Sequence, residues 1–201
     1  MKTIDMFVMG SHGHLVDPDR GYIFAASQRW NSAIARELKE LGIEIELVRM
    51  KSSPVFPCTR EQFPIRARQA AFTEEGSDIF ILTDDDMLPF TAEQVKSGIE
   101  EIEKRTEFAI LSAWPDPHTM ISIGLPGREA VNDDEVMETY SCGGMRFCRK
   151  VPGLVAPESY VKGYDGVFCR HLWSEHGMRV GYLKNTRAFH LGAHCTTLWK
   201  D

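Results

Sequence analysis

The sequence predicts an α/β domain with a mostly parallel central sheet flanked by helices. Three observations predict it. Apolar runs alternate with stretches of helical spacing through the first half, in the order β-α-β-α-β-α-β. The run Asp78-Ile-Phe-Ile-Leu-Thr83 is apolar without alternation, as a strand buried on both faces requires. No repeat, low-complexity segment or linker divides the chain, so residues 1–201 read as a single domain.

Taken in order, Ile4 to Met9 reads as a first buried strand ending at Gly10. The stretch to about Ser27, rich in Gly, His, Asp and Pro, reads as a long loop. Trp30, Ile34, Leu38 and Leu41 recur at helical spacing, with Gly42 as a stop. Ile43 to Val48 alternates apolar residues with Glu and reads as a strand. Lys51 to Pro57, with two prolines, reads as a loop. Pro64 suits the first position of a helix that runs through Ala71 and stops at Gly76. After the strand at 78–83, Thr91-Ala-Glu-Gln94 looks like a capping box opening a helix with Val95, Ile99 and Ile102 on one face. Phe108 to Ala113 is a further buried strand. The second half changes character. Short strands are expected at Met120–Ile123 and within Glu135–Arg149 around Gly143-Gly144. A helix is expected over Asp165–His176, a strand over Arg179–Leu183, and an irregular remainder.

Composition narrows the function. At 43% hydrophobic and 26% charged residues the chain is an ordinary globular protein able to bury one core. A formal charge of −6, with no basic run or stripe, argues against a nucleic-acid partner. Five cysteines, an odd number without a Cys-x-x-Cys pair, argue against a disulfide framework or a zinc site and fit a reducing, cytoplasmic setting. Lys2 followed by only a short apolar, strand-like run is not expected to act as a signal peptide, and no apolar stretch approaches the ~20 residues that span a bilayer. Any membrane contact would therefore be peripheral.

Asp84, Asp85 and Asp86 directly follow the most buried strand. Ligands of open α/β sheets bind at the carboxyl ends of strands. Adjacent carboxylates repel one another unless a cation neutralises them, and a hard divalent ion held there can also hold a diphosphate. In an extended chain Asp84 and Asp86 share a face while Asp85 points elsewhere. A solvated acidic turn before a helix, favoured by the helix dipole, fits the triplet as well.

The segment from Arg66-Ala-Arg68 through Asp78-Ile-Phe-Ile-Leu-Thr-Asp84-Asp-Asp86 resembles the core of GT-A-fold glycosyltransferases, especially the family-2-like group, in which an Arg-bearing helix precedes a strand ending in a DxD motif. The resemblance implies a single GT-A, Rossmann-like domain. Residues 1–113 would form its nucleotide-sugar half, and residues 114–201 a smaller, partly antiparallel acceptor half. It implies that Asp84 contacts the donor nucleotide, and that Asp86, with help from Asp85, holds Mn²⁺ or Mg²⁺ on the diphosphate. Arg66 or Arg68 would approach the nucleotide. Either arginine fits equally a surface charge or a pair with Glu61 or Glu74.

The resemblance continues downstream. Ser141-Cys-Gly143-Gly144-Met-Arg-Phe-Cys-Arg149 is similar to the family's glycine-bearing acceptor strand, where backbone without Cβ approaches a sugar. A hairpin turn is the other reading. Gly163-Tyr-Asp165 resembles the helix start that carries the general base of inverting members, although Tyr164 replaces the usual preceding acid. Asp165 could equally cap that helix. After the strand at 179–183, His190 matches the histidine that completes the metal site in metal-dependent members, with His194 in reserve. His12 and His14 are candidates for the donor pocket. Trp114, Tyr140, Trp173 and Trp199 are candidates for stacking on an acceptor sugar.

The chain departs from the family at Gly10-Ser-His-Gly-His14 and at Arg49-Met-Lys51-Ser-Ser, where base-reading contacts would lie. UDP, GDP and dTDP donors therefore stay open. The absence of C-terminal membrane helices argues against a processive synthase. The expected activity is transfer of one sugar from a nucleotide-diphosphate sugar to a glycan or other hydroxyl acceptor, with inversion. The rivals are a non-catalytic binder on the same scaffold and a metal-dependent nucleotidyl- or phosphotransferase. A sugar nucleotidyltransferase would need a Gly-rich phosphate loop after the first strand. P-loop chemistry would need a Walker-type Gly-Lys-Ser/Thr.

Overall fold

Four consecutive large apolar residues, Ile79 to Leu82, have to be covered on both faces, and the fold does this with helices on either side of one sheet. A computed structural model of the chain describes residues 1–9, 18–50, 63–73, 75–84, 86–116, 129–155 and 164–190. Its elements run β1 (Lys2–Met9), α1 (Pro18–Glu40), β2 (Ile43–Met50), α2 (Phe63–Thr73), β3 (Ile79–Asp84) and β4 (Met87–Pro89). They continue with α3 (Ala92–Lys104), β5 (Phe108–Asp116), β6 (Val136–Glu138), β7 (Met145–Arg149), α4 (Tyr164–His176) and β8 (Arg179–His190).

The sheet has the order β2-β1-β3-β7-β5-β8-β4, with β6 pairing β8. β2, β1 and β3 are parallel, and β5 is parallel to β8. β7 is antiparallel to both β3 and β5 and lies between them. Five strands thus share one direction, while β7, β4 and β6 oppose it. The predicted parallel core is present, but β3 and β5, consecutive long strands in the chain, are separated by β7 from the second half.

Side-chain alternation sorts the core into two layers. Ile79 and Ile81 of β3 pack with Met145 and Phe147 of β7 beneath α1 and α3, whose Ile34, Leu38, Val95, Ile99 and Ile102 share that cluster. Phe80 and Leu82 pack with Cys148 on the opposite face, under Ala67, Ala71 and Phe72 of α2 and Phe168, Cys169 and Leu172 of α4. Phe80 meets Phe7 and Phe72 edge-on, with centroids 5.5 and 5.0 Å away. Each fully buried large apolar side chain of β3 contributes about 1.5–3 kcal/mol. This strand therefore anchors the sheet.

Several expectations need correction. α1 begins at Pro18, within the stretch read as loop. Proline at a helix start gives up no intrahelical hydrogen bond, whereas the glycine and the charges around it mask the helical pattern. β5 runs on to Asp116, and β8 continues past Leu183 to His190 across a register shift, with Trp114 paired to Arg187. The three residues 184–186 that bulge out of the β5 pairing interrupt the alternation that marks a strand. β4, three residues ending in proline, went unpredicted. Gly143-Gly144 is not a β6–β7 hairpin turn, because β6 pairs β8 whereas β7 pairs β3 and β5. Only half of the capping box forms as a box. The Thr91 hydroxyl accepts from Gln94 N at 3.2 Å, while the Gln94 side chain accepts from Arg187 N at 3.1 Å and ties α3 to β8. The strand expected at Met120–Ile123 lies outside the described residues.

α3 packs closely on the inserted strand. A Cβ on Gly98 would lie 2.4 Å from the ring of Phe147. Arg149 at the far end of β7 donates to the Ile102 carbonyl at 2.6 Å, satisfying the helix C-terminus. Replacing a helical glycine by alanine ordinarily gains up to ~1 kcal/mol. For Gly98→Ala the overpacking against Phe147, ~1–3 kcal/mol, reverses that sign. Urea unfolding should find the variant less stable by about 1–2 kcal/mol, and a stabilised variant would contradict this packing.

Candidate functional site

The inserted strand sets the site. On β3 the even-numbered residues Phe80 and Leu82 face the α2/α4 layer, so Asp84 continues on that face at the carboxyl end. Leu82 pairs with Arg146 of β7, and Arg146 in turn pairs with Ser112 of β5. Arg146 is 1% exposed. Its Nη2 lies 2.9 Å from Asp165 Oδ1 and 3.5 Å from Asp84 Oδ2, and its Nη1 donates to the Gly144 carbonyl at 2.9 Å. Arg68 of α2, also buried, donates to the same Asp165 Oδ1. Burial works against the charge of Arg146, but Asp84 and Asp165 outweigh it and raise its affinity for the proton. Burial likewise tends to raise the Asp165 carboxyl, but Arg146 and Arg68 outweigh it and hold that carboxyl below the usual range.

Asp165 stands in the first turn of α4. Its Oδ2 lies beside Gly143, where a Cβ would sit 2.9 Å away, so any larger residue would push the carboxylate off its place. Gly143 N donates to the Tyr182 hydroxyl at 3.2 Å. Gly144 has φ +76°, and a Cβ there would meet Met87 Cε at 2.8 Å. The positive φ selects glycine at this position, and a Cβ would in addition displace the end of the Met87 side chain.

The second group of acids and bases lies on β4 and β8. Met87 pairs with His190, which brings His190 Nε2 to 3.3 Å from Asp86 Oδ2. Asp86 is buried and His190 half-buried. Among the described residues no three His, Cys, Asp or Glu side chains gather into a metal cage. A carboxylate and an imidazole are nevertheless a donor pair suited to Mn²⁺, and Mg²⁺ commonly takes one or two carboxylates with the remaining positions from substrate phosphate and water. The residues present fit such an ion as two of its ligands.

The candidates named from sequence fall into three groups. Asp84, Asp165 and Arg68 meet around Arg146, with Gly143 and Gly144 beside them. Asp86 and His190 meet each other. Arg66 is exposed on α2, apart from this network. Asp85, His12, His14, His194 and Trp199 lie outside the described residues. Trp114 packs against Tyr182 at 6.2 Å, with the Arg187 guanidinium 5.4 Å from its ring. Tyr140 is exposed and Trp173 partly buried. The residue missed from sequence is Arg146. Its signal was an arginine in the middle of the apolar strand Met145-Arg-Phe-Cys148, a position that only paired carboxylates make tolerable.

No protein-family model matches the chain, and no curated protein sequence does. Solved structures do. TarS residues 1–349 from S. aureus matches over 94% of this chain and 60% of its own, at 11% identity and a TM-score of 0.51. GalNAc-T7, determined with UDP, GalNAc and Mn²⁺, matches over 93% of this chain and 43% of its own, at 11% identity and a TM-score of 0.50. A197 from STIV is similar over 94% of this chain at 16% identity and a TM-score of 0.47. The fold is the mixed α/β arrangement of the GT-A glycosyltransferases TarS and GalNAc-T7. This chain spans less than two thirds of either matched chain.

The Asp165 clamp has a pH signature. Because its folded-state affinity for the proton is lowered, its contribution to stability is complete above the unfolded value of about 3.9 and is lost as pH falls through the lower folded value. Asp165→Asn leaves two buried guanidiniums under-compensated. It should cost about 1–3 kcal/mol at pH 7, below the 3–5 of a fully buried pair because the carboxylate is partly solvated. Denaturant unfolding should find that deficit narrowing below about pH 4. A deficit equal at pH 7 and pH 3 would rule out the ion pairs as its origin.

Proposed function

We propose that this chain is a metal-assisted glycosyltransferase that moves one sugar from a nucleotide-diphosphate sugar to an acceptor hydroxyl. The observation that carries the reading is the meeting of Asp86 with His190 at the same sheet edge as Asp84 and Asp165, on a fold shared with TarS and GalNAc-T7. Asp84, 33% exposed at the side chain, is positioned to accept hydrogen bonds from a donor ribose. Arg66, exposed on α2, is assigned to the nucleotide side. Asp86 and His190 would hold Mn²⁺ or Mg²⁺. Such an ion supplies charge neutralisation to the diphosphate as it leaves.

Asp165 is the assigned base. Its Oδ1 is occupied by two guanidiniums, which leaves Oδ2, beside Gly143, to face an acceptor hydroxyl. The clamp keeps the carboxylate ionised at neutral pH and makes it a weak base. A weak base suffices when the hydroxyl gives up its proton late, once its oxygen has begun to bond to the anomeric carbon and has become acidic. Attack from the face opposite the diphosphate would invert the anomeric centre. Gly143 and Gly144 would line the acceptor side, and Trp114 with Tyr182 offers an aromatic wall nearby. The clamp also favours one second reading, in which Asp165 is purely structural and the chain binds a nucleotide sugar without turning it over. No helix among the described residues is long and apolar enough to cross a membrane.

Thermal melting with Mn²⁺ and a panel of UDP, GDP and dTDP should raise Tm only when metal and nucleotide are present together, by an amount that grows with ligand concentration. Asp86→Ala and His190→Ala should each abolish most of the shift. A protein that no metal–nucleotide pair stabilises would sink the transferase reading. Donor hydrolysis by wild type and folded Asp165→Asn then separates enzyme from binder. Loss of about 100-fold or more in kcat at unchanged donor KM is expected for a base.

A further inference from the structure

Arg146 is the largest side chain that the fold buries completely among the described residues. Burying a cation costs several kcal/mol, and an apolar side chain of similar volume would fill the same space at no such cost. Its Nε finds no partner among the described residues, so its recorded hydrogen bonds are all made by the two terminal nitrogens at the sheet edge. Its two acidic partners are about one third exposed while the guanidinium itself is not, so the cation forms the floor on which they sit. With the Gly144 carbonyl, the three partners come from distant parts of the chain: the end of β3, the residues before β7 and the first turn of α4.

We infer that Arg146 is a positioning residue of the transfer site, one guanidinium that fixes the donor-side Asp84 and the acceptor-side Asp165 relative to each other. Arg68 is the second clamp on Asp165. The inference rests on the roles proposed above for the two carboxylates. The geometry explains why an arginine is needed. Nη1 takes the Gly144 carbonyl while Nη2 is shared by Asp84 Oδ2 and Asp165 Oδ1, and a planar fork with several donors serves all three at once. A lysine ammonium at the same place is a point charge on a more flexible stem, without two separate nitrogens to divide among the three acceptors.

The groups facing Asp165 are Arg146 from β7, Arg68 from α2, Cys169 from its own helix, and Cys142 and Tyr182 around Gly143. Asp84, held on the same Arg146 nitrogen, adds a like charge, so the two arginines supply the positive charge that keeps Asp165 ionised. Removing either should raise the pH at which the carboxylate loses activity by protonation. A change in packing alone would not move that limb.

The test compares wild type, Arg146→Lys, Arg146→Gln and Arg68→Gln in donor hydrolysis across pH, each variant first checked for folding by circular dichroism. Arg146→Lys retains the buried charge and guards against loss of the fold. It should still bind Mn²⁺ with the preferred nucleoside diphosphate, more weakly by up to about 10-fold because Asp84 is less well held, yet lose at least about 10-fold in kcat as well, since small misplacements of reacting groups cost up to ~100-fold. In Arg146→Gln and Arg68→Gln the acid limb should move to higher pH. A folded Arg146→Lys with kcat within about twofold of wild type would overturn the inference. If wild type turns over no nucleotide sugar, the transferase reading fails by itself. Arg146 is then judged by ¹³C NMR titration of the Asp165 carboxyl. It should titrate at higher pH in Arg146→Gln, and an unchanged titration would overturn the link between the two residues.

Discussion

A cation buried between β3, β7 and β5 is the constraint on which the arrangement of this protein depends. Arg146 is surrounded by core, with Cys142 and Cys148 beside it and Leu82 and Ser112 as its strand partners. Taking a guanidinium out of water is tolerable only with opposite charge and hydrogen bonds in place. Asp84, Asp165 and the Gly144 carbonyl supply these, and each can do so only if its own element ends at the same point. The carboxyl end of β3, the approach to β7 and the start of α4 are thereby drawn to one spot. The same balance works in reverse, because Asp84 and Asp165 would repel each other at that distance without the arginine between them.

The insertion of β7 makes this possible. An antiparallel strand between two parallel ones presents its amino end where its neighbours present their carboxyl ends, so the residues that begin β7 meet those that end β3. Alternation then sorts the chemistry by face. Arg146 and Asp84 fall on the face covered by α2 and α4, where Arg68 and Asp165 are available. Asp86 and His190 come together by a different pairing, through the short β4 on the outer side of β8. The site is thus a charge-balanced floor with a carboxylate–imidazole pair at its rim. The floor's charges are paired within the described chain, whereas the rim is a single carboxylate–imidazole contact, Asp86 with His190 at 3.3 Å. That asymmetry separates what the protein holds fixed from what the donor would bring.

Local signals in the sequence were strong wherever burial alone determined structure. The unbroken apolar run of β3, the Thr91 cap of α3 and the Gly42 stop of α1 each express a local requirement, and all three stand in the fold. The order of Asp84, Asp86, Asp165 and His190 was legible as well, because they sit at element ends. Non-local pairing was not legible. Nothing in Met145–Arg149 by itself says that this strand enters between β3 and β5, and the role of Arg146 follows only once it does. α1 was read too short because Gly21 and the charged residues near Pro18 mimic a loop. The continuation of β8 was hidden by the bulge at 184–186, where the polar residues Lys184, Asn185 and Thr186 break the strand pattern. That continuation is what carries His190 back to Asp86.

The most direct measurement is a crystal structure with Mn²⁺ and a nucleoside diphosphate, with anomalous data collected at the manganese edge. One strong anomalous peak is expected in bonding contact with Asp86, His190 and diphosphate oxygens, with the ribose against Asp84 and the Arg146–Asp165 contact intact. A metal peak away from Asp86 and His190, or a nucleotide bound elsewhere on the sheet, would contradict it.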